Sequence, residues 1–334
     1  MLKQTITAIL MASAALCCTA ERPALHFNDN GAFKILQFTD LHINDENDAS
    51  KLRNDSTYRL IESLAKAQKP DLLVLTGDCV WNTRDAISLW KQLCASLEST
   101  GVPYAVCFGN HDEETDVNNS QILDYLLTQP HNLTRDDADI SGSGNCLLSV
   151  AASSSDPTTA AAVYMIDSHN SCKDRSFGGY AWINHDQIDW YRSQSDNLTQ
   201  ANGGKPVPAV AFFHIPLPEF DTLLNKYPAT GSKKENVCAP GVNSGLFESM
   251  LEKGDVLGVF VGHDHNNDYL IDANGKLLLA YGRKSGYNSA YDEVLPRGAR
   301  VITLHKGERR LDTAVIDEFG THHPYTFIKK DFNK

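Results

Sequence analysis

The chain has 334 residues, 42% of them hydrophobic and 22% charged, enough apolar material for the core of one large α/β domain or two small ones. Its 42 acidic residues outnumber 30 basic ones for a formal charge of −12. That balance speaks against a nucleic-acid scaffold or an anionic-membrane binder, because such partners need a basic surface that displaces counterions.

Residues 1–20 hold one basic residue, Lys3, no acid, and an apolar run over 6–18 that is too short to cross a bilayer as a helix. They read as a signal peptide cleaved after the small residues Thr19-Ala20, leaving residues 21–334 as a single domain. Leu16 ahead of Cys17 makes a poor lipoprotein processing site, so soluble export to a periplasmic or extracellular compartment is expected over anchoring through Cys17 or Cys18. No later segment reaches 18 uninterrupted apolar residues, so no transmembrane segment is expected. Six cysteines follow the leader and none forms a CxxC pair, which disfavours a thiolate zinc site; an oxidising compartment permits one to three disulfides.

Hydrophobic periodicity predicts a strand over 33–39, an amphipathic helix over 58–67 that stops before Pro70, and a strand over 71–76, a βαβ unit. A helix over 86–97, a strand over 104–108 and a helix over 120–127 continue the alternation. Further strands are expected over 146–150, 162–166, 207–213, 256–261, 277–281 and 300–305. The Ala/Ser-rich stretch 151–160 reads as an exposed hairpin tip, and Ala273-Asn274-Gly275 as a hairpin turn. Alternation of this kind implies layered sheets covered by helices.

Five short segments place polar side chains directly after apolar strands: Asp40-Leu41-His42, Gly77-Asp78, Gly109-Asn110-His111-Asp112, His214 after Phe212-Phe213, and Gly262-His263-Asp264-His265. The carboxyl ends of strands in an open α/β sheet are where ligands bind, so five such ends can converge on one crevice. Asp, His and Asn together mix hard oxygen with borderline nitrogen donors, a set that suits Mn, Fe or Zn better than Ca. Each segment alone is an ordinary turn or rim residue; the five in this order after strands are not.

This order and spacing resembles the calcineurin-like metallophosphoesterase superfamily, whose blocks are D-x-H, G-D, G-N-H-[DE], a lone H and G-H-x-H. The resemblance implies a four-layer α-β-β-α sandwich of two mixed sheets flanked by helices. It also implies two divalent metal ions: Asp40, His42 and His265 on one, Asn110, His214 and His263 on the other, and Asp78 bridging both. His111 would stand free of the metals and protonate or stabilise the leaving oxygen, with Asp112 orienting it. The reaction implied is hydrolysis of a phosphate ester, a monoester by preference, through in-line attack of a hydroxide held between the ions. Rival readings are a phosphodiesterase, nucleotide or phospholipid-headgroup hydrolase on the same centre, and a non-catalytic binding protein of the same fold.

Segments 212–220, 243–247 and 187–191 are similar to a narrower branch, the short purple-acid-phosphatase-related proteins of yeast and plants. Asp78 is followed by Cys79, Val80 and Trp81, so the tyrosine ligand of true purple acid phosphatases is missing and an iron–tyrosinate centre is not expected. For substrate contacts the candidates are Arg283, whose planar fork suits phosphate, then His169 and Arg53. Tyr180 and Trp182 read as packing residues.

Overall fold

The computed structural model describes residues 22–289 and 294–330; the expected leader and its cleavage point lie outside the described residues. The N-terminal half contains β1 (Leu25–His26), β2 (Ala32–Phe38), α1 (Asp48–Gln68), β3 (Leu72–Thr76), α2 (Ala86–Ser99), β4 (Tyr104–Cys107) and α3 (Asn119–Leu126). The middle of the chain forms β5 (Cys146–Ser153), β6 (Asp156–Met165), α4 (His185–Ala201), β7 (Ala209–Phe212), α5 (Glu219–Thr222), β8 (Ala229–Thr230) and α6 (Leu246–Lys253). Strands β9 (Val256–Val261), β10 (Leu270–Asp272), β11 (Leu278–Tyr281), β12 (Gly298–His305), β13 (Arg310–Asp317) and β14 (Gly320–Ile328) complete it.

Two mixed sheets result: eight strands in the order β1-β5-β6-β7-β9-β11-β10-β8, and six in the order β14-β13-β12-β2-β3-β4. Three apolar clusters show how they stack. One lies between the sheets and joins Phe33, Ile35 and Val74 of one to Val163, Phe212 and Phe260 of the other. A second packs β2–β4 against α1–α3 through Ile61, Trp90 and Ile122. The third packs the larger sheet against α4 and α6 through Trp190, Tyr191 and Met250. The architecture is therefore helix, sheet, sheet, helix, with β2, β3 and β4 parallel in one sheet and β6, β7, β9 and β11 parallel in the other.

Several elements exceed their expected bounds. Helix α1 begins at Asp48 because the Asn47 side chain accepts the Ser50 N–H, capping two polar turns that carry no apolar period. It stops at Lys69, in left-handed geometry with φ 49°, ahead of Pro70. The stretch 151–160 is mostly strand: β5 and β6 pair through Ser153↔Asp156, and only residues 154 and 155 turn. Strands β13 and β14 escaped prediction, Pro324 breaking the alternation in an edge strand where it is tolerated. The six described cysteines are free thiols, five of them buried, so no disulfide forms among the described residues.

Candidate metal centre

The loops after β2, β3, β4, β7 and β9 meet at the carboxyl ends of the parallel strands, where both sheets share an edge of the sandwich. Four of the residues they present hold positive φ without being glycine: Asp40 at 54°, His42 at 48°, Asp78 at 51° and His263 at 79°. Such angles are sparsely populated for residues with a Cβ and persist where the surroundings force them. The two glycines that start the third and fifth blocks have a steric reason. A Cβ on Gly109 would stand 2.3 Å from the Asp78 backbone nitrogen and Oδ1, and one on Gly262 would stand 1.9 Å from Thr39 Oγ1, so the strand ends close only without a side chain there.

Asp40, His42, Asp78 and His265 form one cluster of donor atoms, and Asp78, His214 and His263 another. Asp78 Oδ2 is common to both, 3.5 Å from His42 Nε2 and 3.1 Å from His214 Nε2. His42 Nε2 and His265 Nε2 stand 3.1 Å apart, and His263 Nδ1 and His214 Nε2 3.3 Å apart. Asp40 Oδ1 lies 3.5 Å from His265 Nε2. Donors each about 2.1 Å from one ion stand about 3.0–3.4 Å apart at octahedral to tetrahedral angles, so these separations fit edges of a coordination shell. Asn110 Oδ1, in the third block, is buried and accepts no hydrogen bond, a costly state for an amide oxygen unless a cation meets it. The donor set therefore fits divalent ions, and it fits two because one carboxylate oxygen serves both clusters.

Backbone contacts fix the donors. His214 Nδ1–H donates to the Thr76 carbonyl at 2.7 Å, which leaves Nε2 turned to Asp78. The His263 N–H donates to the Asp40 carboxylate, and the His111 N–H to Asp78 Oδ1 at 2.9 Å. Burial drives His42 down to about 3, and burial followed by the His214 charge drives His263 to about 3; both rings are neutral donors. Burial opposes the charge on His214 as well, but Asp78 and then Asp40 outweigh it and raise that ring to about 10. Burial also opposes ionisation of Asp78, yet His214 and His42 hold it well below the usual carboxylate range. A cation entering the cluster must displace the His214 proton.

His111 stays outside both clusters. Its partner differs from the expected one: Asp112 does not orient the ring. Asp112 Oδ1 accepts the N–H groups of Cys79 and Val80, each at 2.9 Å, and Oδ2 accepts that of Gly109 at 2.8 Å. It is a fully buried clamp between the second and third blocks. Glu114, which drew no attention in the sequence, stands 2.6 Å from His111 Nδ1 and accepts the Trp81 indole N–H at 3.1 Å through the same oxygen. Trp81 in turn packs edge-on against His42 and His111. An acid three residues after His111 was the available signal.

Arg283 does not face the centre. Its guanidinium is buried on Asp268, on Asp317 at 3.1 Å and on the Pro296 carbonyl at 3.0 Å, so all of its fork is committed to structure. Arg53 lies on the exposed face of α1. His169, with φ 61°, sets its Nε2 2.8 Å from Gln187 Oε1 and lines a cavity together with Trp182. Tyr180 packs edge-on against His263 at 4.4 Å.

Residues 33–267 match the model of the calcineurin-like phosphoesterase family. The chain is similar to an Arabidopsis thaliana protein named probable inactive purple acid phosphatase 29, at 30% identity over 90% of this chain and 85% of that one. It is similar to the phosphatase DCR2 of Saccharomyces cerevisiae at 31% identity, over 77% of this chain and 49% of that one. Among solved structures it is similar to a dimetal phosphatase from Danio rerio, with a TM-score of 0.61 and 11% identity over 89% of this chain and 99% of that one; at this identity the likeness concerns the fold.

Proposed function

The chain belongs to the calcineurin-like phosphoesterase family and is a hydrolase acting on phosphoester bonds, and from that premise we propose that it hydrolyses phosphate monoesters with Asp40, His42, Asp78, Asn110, His214, His263 and His265 holding two divalent ions. The observation that carries this reading is Asp78 Oδ2, shared by the two donor clusters at 3.5 Å from His42 and 3.1 Å from His214. Divalent ions held there would supply Lewis acidity and a water of lowered pKa.

The chain's own residues do the rest. Asp78 and Asp40 offset the positive charge gathered in the cluster, and both backbone N–H contacts to them stiffen the loops. His111, with Nδ1 engaged by Glu114, has Nε2 left to give a proton to the leaving oxygen. Trp81 packs edge-on against the ring on one side. The complete donor set supports an active enzyme over a binding protein of the same fold, whatever the name of the Arabidopsis relative. The yeast relative's name, a phosphatase, supports hydrolysis of a phosphate ester.

Metal content together with rates on p-nitrophenyl phosphate and bis-p-nitrophenyl phosphate tests the proposal. Two ions per chain and a faster monoester are expected; a faster diester would move the assignment to a phosphodiesterase, and no turnover of either would favour a binding protein. Export with removal of residues 1–20, leaving one domain over 21–334, belongs to the same proposal and rests on the apolar run ahead of Glu21. N-terminal sequencing of protein from the producing cell is expected to begin at Glu21, and retention of Met1 would overturn it.

A further inference from the structure

A cavity of about 670 Å³ opens beside the loop that carries His111. Glu113, two residues past His111, forms part of its lining, and Asn170 Nδ2 donates to Glu113 Oε2 at 2.5 Å. The segment 168–184 supplies most of its lining as a strap. Ser171 bridges to Tyr180, the Cys172 N–H donates to the Gly179 carbonyl, and the Ala181 N–H donates to the Asn170 carbonyl. Tyr180 on this strap touches His263, and the Ser168 hydroxyl accepts the N–H of Ile215, the residue after His214. The cavity is thus tied at one side to the His111 loop and at the other to the His214 and His263 loops.

Its volume falls in the range of roughly 300–1,000 Å³ usual for small-molecule sites, far more than a phosphoryl group needs. Phe177, 53% exposed although large and apolar, and Trp182 both line it. Aromatic side chains lining a cavity suit a planar ring. The acids around it are committed: Asp167 accepts the N–H groups of Ser143 and His169, Asp174 accepts the Ser176 N–H and hydroxyl, and Glu113 accepts Asn170. Their charge disfavours a polyanionic occupant and tolerates a neutral one. Other polar residues of the lining, Lys173 and Asn184 among them, can meet ring nitrogens and hydroxyls.

We propose that this cavity receives the leaving group of the ester and that the group is of nucleoside class, a planar heteroaromatic ring on a neutral polyol, so that the substrates are nucleoside monophosphates. The proposal deepens the phosphomonoesterase reading and rests on it for catalysis, but not for binding. Its test therefore has two arms.

In the first, adenosine is titrated into the metal-loaded protein by calorimetry, and binding is expected to weaken about tenfold in Trp182→Ala and in Phe177→Ala, the latter a surface truncation that leaves the core intact. In the second, the ratio of kcat/KM for AMP to that for glycerol 2-phosphate is compared, and it is expected to exceed ten and to fall about tenfold in the same variants. Adenosine binding without hydrolysis of any ester keeps the cavity assignment and sinks the phosphoesterase reading. Hydrolysis with no adenosine binding, and a ratio that neither variant moves, overturns the cavity assignment. A phosphoserine peptide hydrolysed faster than AMP, with that rate cut by Phe177→Ala, overturns it in favour of a peptide site.

Discussion

His111 Nδ1 stands 2.6 Å from Glu114 Oε2, and that oxygen also accepts the indole N–H of Trp81 at 3.1 Å. Two donors on one carboxylate oxygen fix the ring plane of the only histidine of the five blocks that lies outside the donor clusters. If His111 assists the leaving oxygen, Glu114 positions it. Glu114→Gln is expected to lower kcat about tenfold with metal content unchanged, and His111→Ala about a hundredfold, the lower end of general-acid effects. The losses should be larger for alkyl phosphates than for p-nitrophenyl phosphate, whose leaving oxygen needs little protonation. A loss of equal size across a leaving-group series would assign Glu114 to structure alone.

Asp78 should behave differently. Asp78→Asn keeps an oxygen in the centre but removes the charge that both clusters share, so loss of bound metal and of activity is expected together, measured by elemental analysis and turnover. His111→Ala is expected to keep its metal. An Asp78→Asn protein with two ions per chain would refute the shared role.

Arg283 makes the opposite prediction from a substrate contact. Its removal strips the cation from Asp268 and Asp317, both buried, and breaking a buried ion pair costs roughly 3 kcal/mol or more. Arg283→Ala should therefore lower the denaturation midpoint while KM of the folded fraction changes less than twofold. A large rise in KM at unchanged stability would restore it to the phosphate.

Lys329 gives a pH dependence away from the centre. Its Nζ is buried on the carbonyls of Val256, at 2.6 Å, and Lys276, and burial followed by Arg309 lowers its pKa from 10.5 to about 8. Between those values the unfolded chain binds a proton that the folded chain has released, so stability rises with pH across that window. From pH 8 to pH 10 the wild type is expected to gain about 2 kcal/mol relative to Lys329→Met in equilibrium denaturation, at about 1.36 kcal/mol per unit of pKa difference. A constant difference between the two proteins would show that the amine titrates normally.

Much of this protein is legible as sequence because its main signals are local. Apolar runs such as 256–261 and 72–76 declare buried strands within a few residues, and a strand followed at once by Asp, Asn or His declares a carboxyl-end loop. The five blocks need no distant information beyond their order, and the sandwich of two sheets follows from the family they mark. The edges were less legible: the polar first turns of α1 carry no period, and Pro324 masked β14.

Only the tertiary structure decided which polar group each side chain meets. Asp112 and Glu114 are equally plausible neighbours of His111 along the chain, yet the turn after β4 aims Asp112 back at the N–H groups of Cys79 and Val80 and leaves Glu114 beside the ring. Arg283 looks like a phosphate fork until the loop before β10 and the end of β13 bring Asp268 and Asp317 to it. The cavity lined by Phe177 and Trp182 exists because the segment 168–184 is tied to loops of both sheets, through Asn170 to Glu113, Tyr180 to His263 and Ser168 to Ile215. Hydrogen bonds and ion pairs are decided by positions a few ångströms apart between segments tens to hundreds of residues apart, and no local pattern carries that distance.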